Sequence, residues 1–292
     1  MSLTWPWHFT PVSAPDKQQR RELLDLRGYV AQFSVLVVIC AIRIYQSYFK
    51  ATEGAVKQRS RRRDQPWWDR PPFPGWTETR KQYAVCLIWL GWLLGLSALK
   101  TGDDYLHLTK ALGQIGMSQL PMQVLLSPAL YLSTSKPGAP SIISSLTSLP
   151  QPFLNPYHRI CGRLVLAPLL LGHAVLYFGF FLQSASPRPE FSSLLAKRLR
   201  DPDVQWGIGA VWSAVLVIFV LIRPFVGVRR GLSIWPAGAS AKGKRQRFYI
   251  AHVALVGVFC LAAYAHVAQA QAFVLETVGC FGINVVWSLW CC

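Results

Sequence analysis

Four of the six histidines lie in or beside long uncharged stretches, and their spacing is the feature of this sequence that could do chemistry. His158 and His173 are 15 residues apart, and His252 and His266 are 14 apart. At about 100° per residue these separations return to within about 60° and 40° of one helix face, over a rise of about 21–23 Å. Each helix would then present one imidazole near each side of a bilayer. An ionisable group in a membrane span is costly and reads as functional, with a partner to be named. The two helices are separated by a single crossing and so run parallel, which sets His158 level with His252 and His173 level with His266. Two facing neutral imidazoles at one depth are what a six-coordinate b-type haem iron needs. Two such levels would make a chain for electron transfer. Zinc is a poorer fit, because its ligands crowd within about 2 Å of one ion and histidines four turns apart on one helix cannot converge. A lone histidine would read as a helix-packing group; four, paired at matched spacing, do not. His8 and His107 lie in polar stretches and read as having no special role.

Arg159 and Arg163 follow the first histidine by one and five residues. They would supply cations for haem propionates, although the same residues also serve as ordinary positive-inside anchors. Gly162 and Gly172 lie in the same stretch and would let a flat macrocycle approach the backbone.

The elements that position these residues follow from composition. Hydrophobic residues make up 52% of the chain and charged residues 15%, against about 25% charged in soluble domains. The charges are bunched, leaving long apolar runs between them, as in a multi-span membrane protein. A net charge of +17 could suggest nucleic acid, but the basic residues fall in loops between spans rather than on an aromatic-interleaved face. We therefore expect contact with membrane lipid and no nucleic-acid partner. The seven cysteines contain no CxxC pair and read mostly as small buried hydrophobes.

The expected architecture is all-α, a transmembrane bundle of about seven helices with the last incomplete. Residues 1–27 form a polar tail with an amphipathic end at Lys17–Arg27. Spans follow at Gly28–Tyr48, Gln82–Leu99, Leu112–Ser133 (broken by Pro121 and Pro128), 158–183, Gln205–Ile222 and 249–275. A final segment of about 16 residues is slightly short of a crossing. Gly91 and Gly95 would give the second span a small-residue packing face. Residues 28–108 are thus a two-span extension with a basic loop at 49–81, and residues 109–292 a haem-binding core. Loops 49–81 and 223–247 carry nine and seven Lys/Arg. Four spans separate them, so they share a side, and positive-inside bias makes that side cytoplasmic. The amino terminus is then outside and the carboxyl terminus inside, with the plasma membrane as the expected location.

The run Tyr157-His158-Arg159, then Gly162-Arg163 and His173, resembles the HRxxGR…H helix of ferric reductase transmembrane domains, a superfamily that includes the NADPH oxidases. Gln119-Leu120-Pro121 resembles the QLP element of the preceding helix, and His252 with His266 resembles the second histidine helix, reached through a basic loop. The resemblance covers about 110–285. It implies two stacked b-haems, with the inner held by His158/His252 and the outer by His173/His266, fed from NADPH through FAD on the cytoplasmic side. The acceptor would be an external ferric or cupric chelate, or dioxygen in an oxidase. Family members continue into flavin and nucleotide domains. Here no Gly-rich dinucleotide loop is present, and Gly207-x-Gly209 lies in an apolar span without a third glycine. The expectation is therefore a metalloreductase membrane part that takes electrons from a separate flavin/NADPH chain, or a truncated product. The alternatives are a superoxide-producing oxidase and a membrane scaffold that has lost electron input.

Overall fold

A computed structural model describes residues 13–53, 66–101, 104–128, 140–183, 193–220 and 241–291. Regular structure among these residues is helical throughout. Six helices are long and apolar enough to cross a membrane: Ala14–Tyr48, Arg80–Ala98, Gln151–Leu182, Pro202–Phe219, Gln246–His266 and Ala268–Trp290. The chain is an integral membrane protein built as a multi-span helical bundle.

Helix α1 runs unbroken over Ala14–Glu53, so the amphipathic stretch Lys17–Arg27 forms its first turns rather than a separate tail. Helix α2 (Arg80–Ala98) opens on a capping box. The Thr79 hydroxyl accepts from the Gln82 backbone amide at 3.3 Å, and the Gln82 side chain accepts from the Thr79 amide at 2.8 Å. Two donors that the helix cannot satisfy are thereby paired. At Gly91 and Gly95 an added Cβ would meet no described atom within 4 Å, so the small-residue face expected on this helix packs against none of the described elements.

The third expected span starts earlier than charge placement suggested. Helix α3 covers Tyr105–Ser118 and α4 covers Leu120–Leu125. Asp104 caps α3 by accepting from the His107 amide at 3.2 Å. The joint falls at Gln119, just before Pro121, whose ring is best accommodated in the first turn of a helix. Residues 129–133 of the expected span lie outside the described residues. His107, expected in a polar stretch, is instead buried on α3, with its Nε2 3.4 Å from an Arg27 guanidinium nitrogen. His8 is outside the described residues.

Short helix α5 (Ile142–Thr147) precedes the first histidine helix, which is α6 (Gln151–Ile160), a π-helical segment at Cys161–Leu166, and α7 (Ala167–Gln183). Helix α8 (Leu194–Arg198) leads to α9 (Pro202–Val215), and α10 (Ala241–His266) carries the second histidine pair. The break after α10 comes at Val267, whose backbone is extended, and α11 then spans Ala268–Trp290. The last helix is thus 23 residues long, enough for a full crossing. Gln269 and Gln271, polar but uncharged, mark this turn, and a scan for charges passes over them.

The core has two main parts. In one, Phe259, Ala262 and Ala263 of α10 meet Ala210 of α9 and Phe273 of α11. In the other, Leu93 of α2 and Ile115 of α3 meet Ile160 and Leu169. Polar bonds join the helices where lipid offers no hydrophobic drive to associate. Gln32 of α1 donates to Glu276 of α11 at 2.5 Å, and Gln114 of α3 donates to Asp25 of α1 at 2.8 Å.

Helix α1 also meets α11 at Gly28, where an added Cβ would lie 2.5 Å from Cζ of the buried Phe273. Overpacking of this kind costs about 1–3 kcal/mol. Gly28→Ala is expected to lower the melting temperature of detergent-solubilised protein, and Phe273→Leu in the same chain to restore part of the loss. Additive losses in the double variant would show that the two residues do not meet.

Candidate functional site

The histidine helices place two imidazoles at each of two levels. His158 faces His252 with ring centres 6.3 Å apart and planes at 70°. His173 and His266, 15 and 14 residues farther along the same two helices, make up the second level. The π-helical segment between His158 and His173 explains how unequal spacings match. A π turn takes in one residue more than an α turn, so the 15-residue step on this helix advances like a step of about 14, which is the spacing on α10.

Hydrogen bonds fix three of the four rings. His158 Nδ1 meets the Gln123 carbonyl at 2.9 Å, His173 Nδ1 meets Thr109 at 2.7 Å, and His266 Nδ1 meets Asp203 at 2.5 Å. A carbonyl can only accept, so each Nδ1 carries its proton and each Nε2 keeps a free lone pair. That is the arrangement by which supporting groups set up a metal-binding histidine. His252 lies under Phe248, with ring centres 5.6 Å apart and planes at 20°, and its buried Nδ1 has no partner among the described residues.

The carbonyls are available for local reasons. Gln123 is near the end of α4, where the Ser127 amide turns to Val124 instead, leaving one of the unsatisfied carbonyls of a helix end. Thr109 and Asp203 lie inside helices, and in both cases the residue four positions on is glycine: Gly113 and Gly207. Side chains on a helix lean back over the preceding turn, so a side chain at those positions would cover the carbonyl. A Cβ at Gly113 would come 3.0 Å from His173 Cγ, and one at Gly207 would come 2.8 Å from His266 Cε1. Gly207, which by spacing alone reads as half of a chance glycine pair, is the residue that admits His266.

The residues present fit a bis-histidine metal. A metal bonded to two imidazoles lies about 2 Å from each nitrogen, and each nitrogen lies about 1 Å from its ring centre, so the centres stand about 6 Å apart. The separation of 6.3 Å at His158/His252 meets that requirement. No group of three or more His, Cys, Asp or Glu that could hold a metal by itself occurs among the described residues. An added Cβ at Gly172 would meet no described atom within 4 Å, whereas one at Gly162 would face the Gln123 amide at 3.1 Å. That amide donates to the His158 carbonyl at 2.6 Å, so Gln123 grips His158 from both its side chain and its backbone.

Arg159 and Arg163 lie at the His158 end, and both reach Glu78, at 2.9 Å and 3.6 Å. Burial works to raise the Glu78 pKa, but the bond to Arg159 and its charge prevail and hold it below the ordinary value. A depressed carboxylate contributes stability in full above its unfolded pKa, about 4.3, and loses it as pH falls through the lower folded value. Arg159 is 38% exposed, so the pair is worth at most about 1 kcal/mol. Glu78→Gln is therefore expected to remove that step of acid destabilisation from a melting-temperature profile below pH 5, with little change at neutral pH. An unaltered acid limb would show that Glu78 does not couple to folding.

The four histidines and two arginines stand out in the sequence, whereas Gln123, Gly113, Gly207 and Glu78 do not. A glycine at histidine depth on a neighbouring span is the one signal that could have pointed to Gly113 and Gly207.

Searches of characterised proteins and of solved structures gave no match. A family model for the ferric reductase like transmembrane component matches residues 112–263, more than half of the chain. The match includes His158, His173 and His252 and stops three residues before His266. The chain belongs to this ferric reductase like family of membrane components, whose place in biology is electron transfer across the bilayer.

Proposed function

We propose that this chain conducts electrons through the membrane on two b-type haems, as the membrane part of a ferric or cupric chelate reductase. The observation that carries this reading is the His158/His252 pair, spaced for a shared metal, with the His158 Nδ1 engaged elsewhere. His158 and His252 would ligate one haem iron, and His173 and His266 the other. Bound haem supplies one-electron chemistry at each level.

The chain's own residues hold, orient and shield. Gln123, Thr109 and Asp203 fix ring tautomers. Gly113 and Gly207 admit two of the imidazoles, and Phe248 stacks on His252. Arg159 and Arg163 offer cations to propionates at the His158 end, sharing them with Glu78. Electrons would enter from FAD and NADPH on a separate chain or domain. The described basic residues at the start of α2 (Arg80 and Lys81) and in the first turns of α10 (Lys242 to Arg247) lie on the His158 side of their helices. Positive-inside bias puts that end in the cytoplasm and the amino terminus outside, with the plasma membrane as the setting.

The test is a dithionite-reduced minus oxidised spectrum of membranes containing the chain, with haem counted per polypeptide. Two b-type haems per chain are expected. Folded, inserted protein without haem would leave the histidines as packing groups and favour the scaffold reading.

A further inference from the structure

We propose that Cys86 and Cys161 are a peroxide-sensitive dithiol, oxidised to a disulfide that ties α2 to the first histidine helix one turn from His158. The inference does not use haem, so it stands or falls apart from the proposed function.

Among the described residues, Cys86 and Cys161 are the cysteines whose sulfurs meet, 3.6 Å apart across 75 positions of sequence. At that separation one thiol donates weakly to the other and no covalent bond joins them. A disulfide holds its sulfurs at about 2.05 Å, so closure asks for about 1.5 Å of approach. The two helices share that movement unequally. Cys86 is 1% exposed and sits in the core part that Leu93, Ile115, Ile160 and Leu169 build. Cys161 is half-buried and opens the π-helical segment Cys161–Leu166. A π turn is a local departure from α bonding, so adjustment falls on this segment rather than on the regular turns of α2. Movement there reaches the candidate site directly, because the Cys161 amide donates to the His158 and Tyr157 carbonyls.

Metal is a poorer reading of the pair. No third His, Cys, Asp or Glu joins the two sulfurs among the described residues, whereas structural zinc and iron–sulfur clusters take four ligands.

Access comes from the Cys161 side. Arg159 and Arg163, on either side of Cys161, both reach Glu78 just ahead of α2. Cys86 lies six residues after Arg80, about 9 Å along the helix. The pair is therefore near the charged boundary of the bundle, at a depth that a small uncharged oxidant enters.

Hydrogen peroxide is that oxidant. The Cys161 thiolate attacks one peroxide oxygen, the O–O bond breaks, and the departing hydroxide takes up the proton that Cys161 released. This leaves a sulfenic acid. The Cys86 sulfur then attacks the Cys161 sulfur, the S–O bond breaks, and the oxygen leaves as water with the Cys86 proton. Two thiols and one peroxide give one disulfide and two waters, with two electrons passing from sulfur to oxygen. Positive-inside bias assigns this end to the cytoplasm, where thiols rest reduced. The bond then forms as peroxide rises, and thiol exchange reopens it.

The experiment exposes the purified full chain to limiting hydrogen peroxide, blocks the remaining thiols with iodoacetamide in denaturant, and digests with trypsin. Cleavage after Lys81, Lys100, Arg159 and Arg163 puts Cys86 and Cys161 on separate peptides, 82–100 and 160–163. The expected result is loss of two of the seven thiols, with these two peptides recovered joined and parted by dithiothreitol. The melting temperature of the oxidised wild type should rise, as a cross-link between distant positions constrains the unfolded chain; that of Cys86→Ser should not. In Cys86→Ser, Cys161 should stop at the sulfenic acid and be trapped by dimedone. In Cys161→Ser, Cys86 should remain a free thiol, since it is buried and its oxidisable neighbour is gone. The wild-type digest decides the matter if neither variant folds. Peptides 82–100 and 160–163 recovered unjoined from folded wild-type protein, as free thiols or as separately oxidised acids, would overturn the inference.

Discussion

His173→Ala is expected to bring haem from two per chain to one, with the His158/His252 signal intact in the reduced spectrum. The two levels are about 21–23 Å apart along the helix, and they use different supporting carbonyls, Gln123 for one and Thr109 with Asp203 for the other. Nothing in the described contacts makes one level depend on the other. His252→Ala should give the converse result, with loss of the His158-side haem alone. Electron flow through the membrane should fall by orders of magnitude in both, because in the proposed relay an electron must pass both levels. Free imidazole added to His173→Gly should return part of the lost haem, since the cavity left has the shape of the missing ring. If both haems survive His173→Ala, the pairing is wrong.

Gly113→Ala and Gly207→Ala are each expected to weaken haem binding at the His173 level by about 5- to 150-fold, which corresponds to the usual overpacking cost of about 1–3 kcal/mol. Two effects compete here. Alanine is the better helix former by about 1 kcal/mol, so propensity alone predicts a more stable protein. Packing predicts the opposite, because the new methyl group would lie 3.0 Å from His173 or 2.8 Å from His266 and would cover the carbonyl each ring uses. Ring displacement is the larger effect, since both contacts are with a positioned imidazole rather than the end of a flexible chain. Gly279→Ala serves as the control: an added Cβ there would meet no described atom within 4 Å, so the change should be neutral or slightly stabilising. Haem titration of apo-protein separates the three variants. Equal behaviour of all three would remove Gly113 and Gly207 from the site.

The histidine pairs were legible in the sequence because helical periodicity and the cost of an ionisable group in lipid act on the chain locally. The same holds for the apolar runs that make a multi-span bundle, and for the HRxxGR run at His158. Boundaries were less legible where polarity without charge sets them. The turn at Val267 is followed by two glutamines, and the helix at the third expected span begins at an aspartate cap well before its apolar run.

The sequence by itself determined the four histidines proposed to hold iron, their spacing, and that they lie in parallel helices. Tertiary structure decided how those residues are held. The π turn that equalises the 15- and 14-residue steps is a choice of backbone hydrogen bonding. The carbonyls of Gln123, Thr109 and Asp203 come from helices remote in sequence. Glu78 finds Arg159 across 81 positions, and Thr109 reaches His173 only because α3 packs against α7. Such contacts depend on which helix faces meet, and in lipid that choice is made by close packing and interhelical hydrogen bonds, since burying an apolar face there gains little over leaving it against acyl chains.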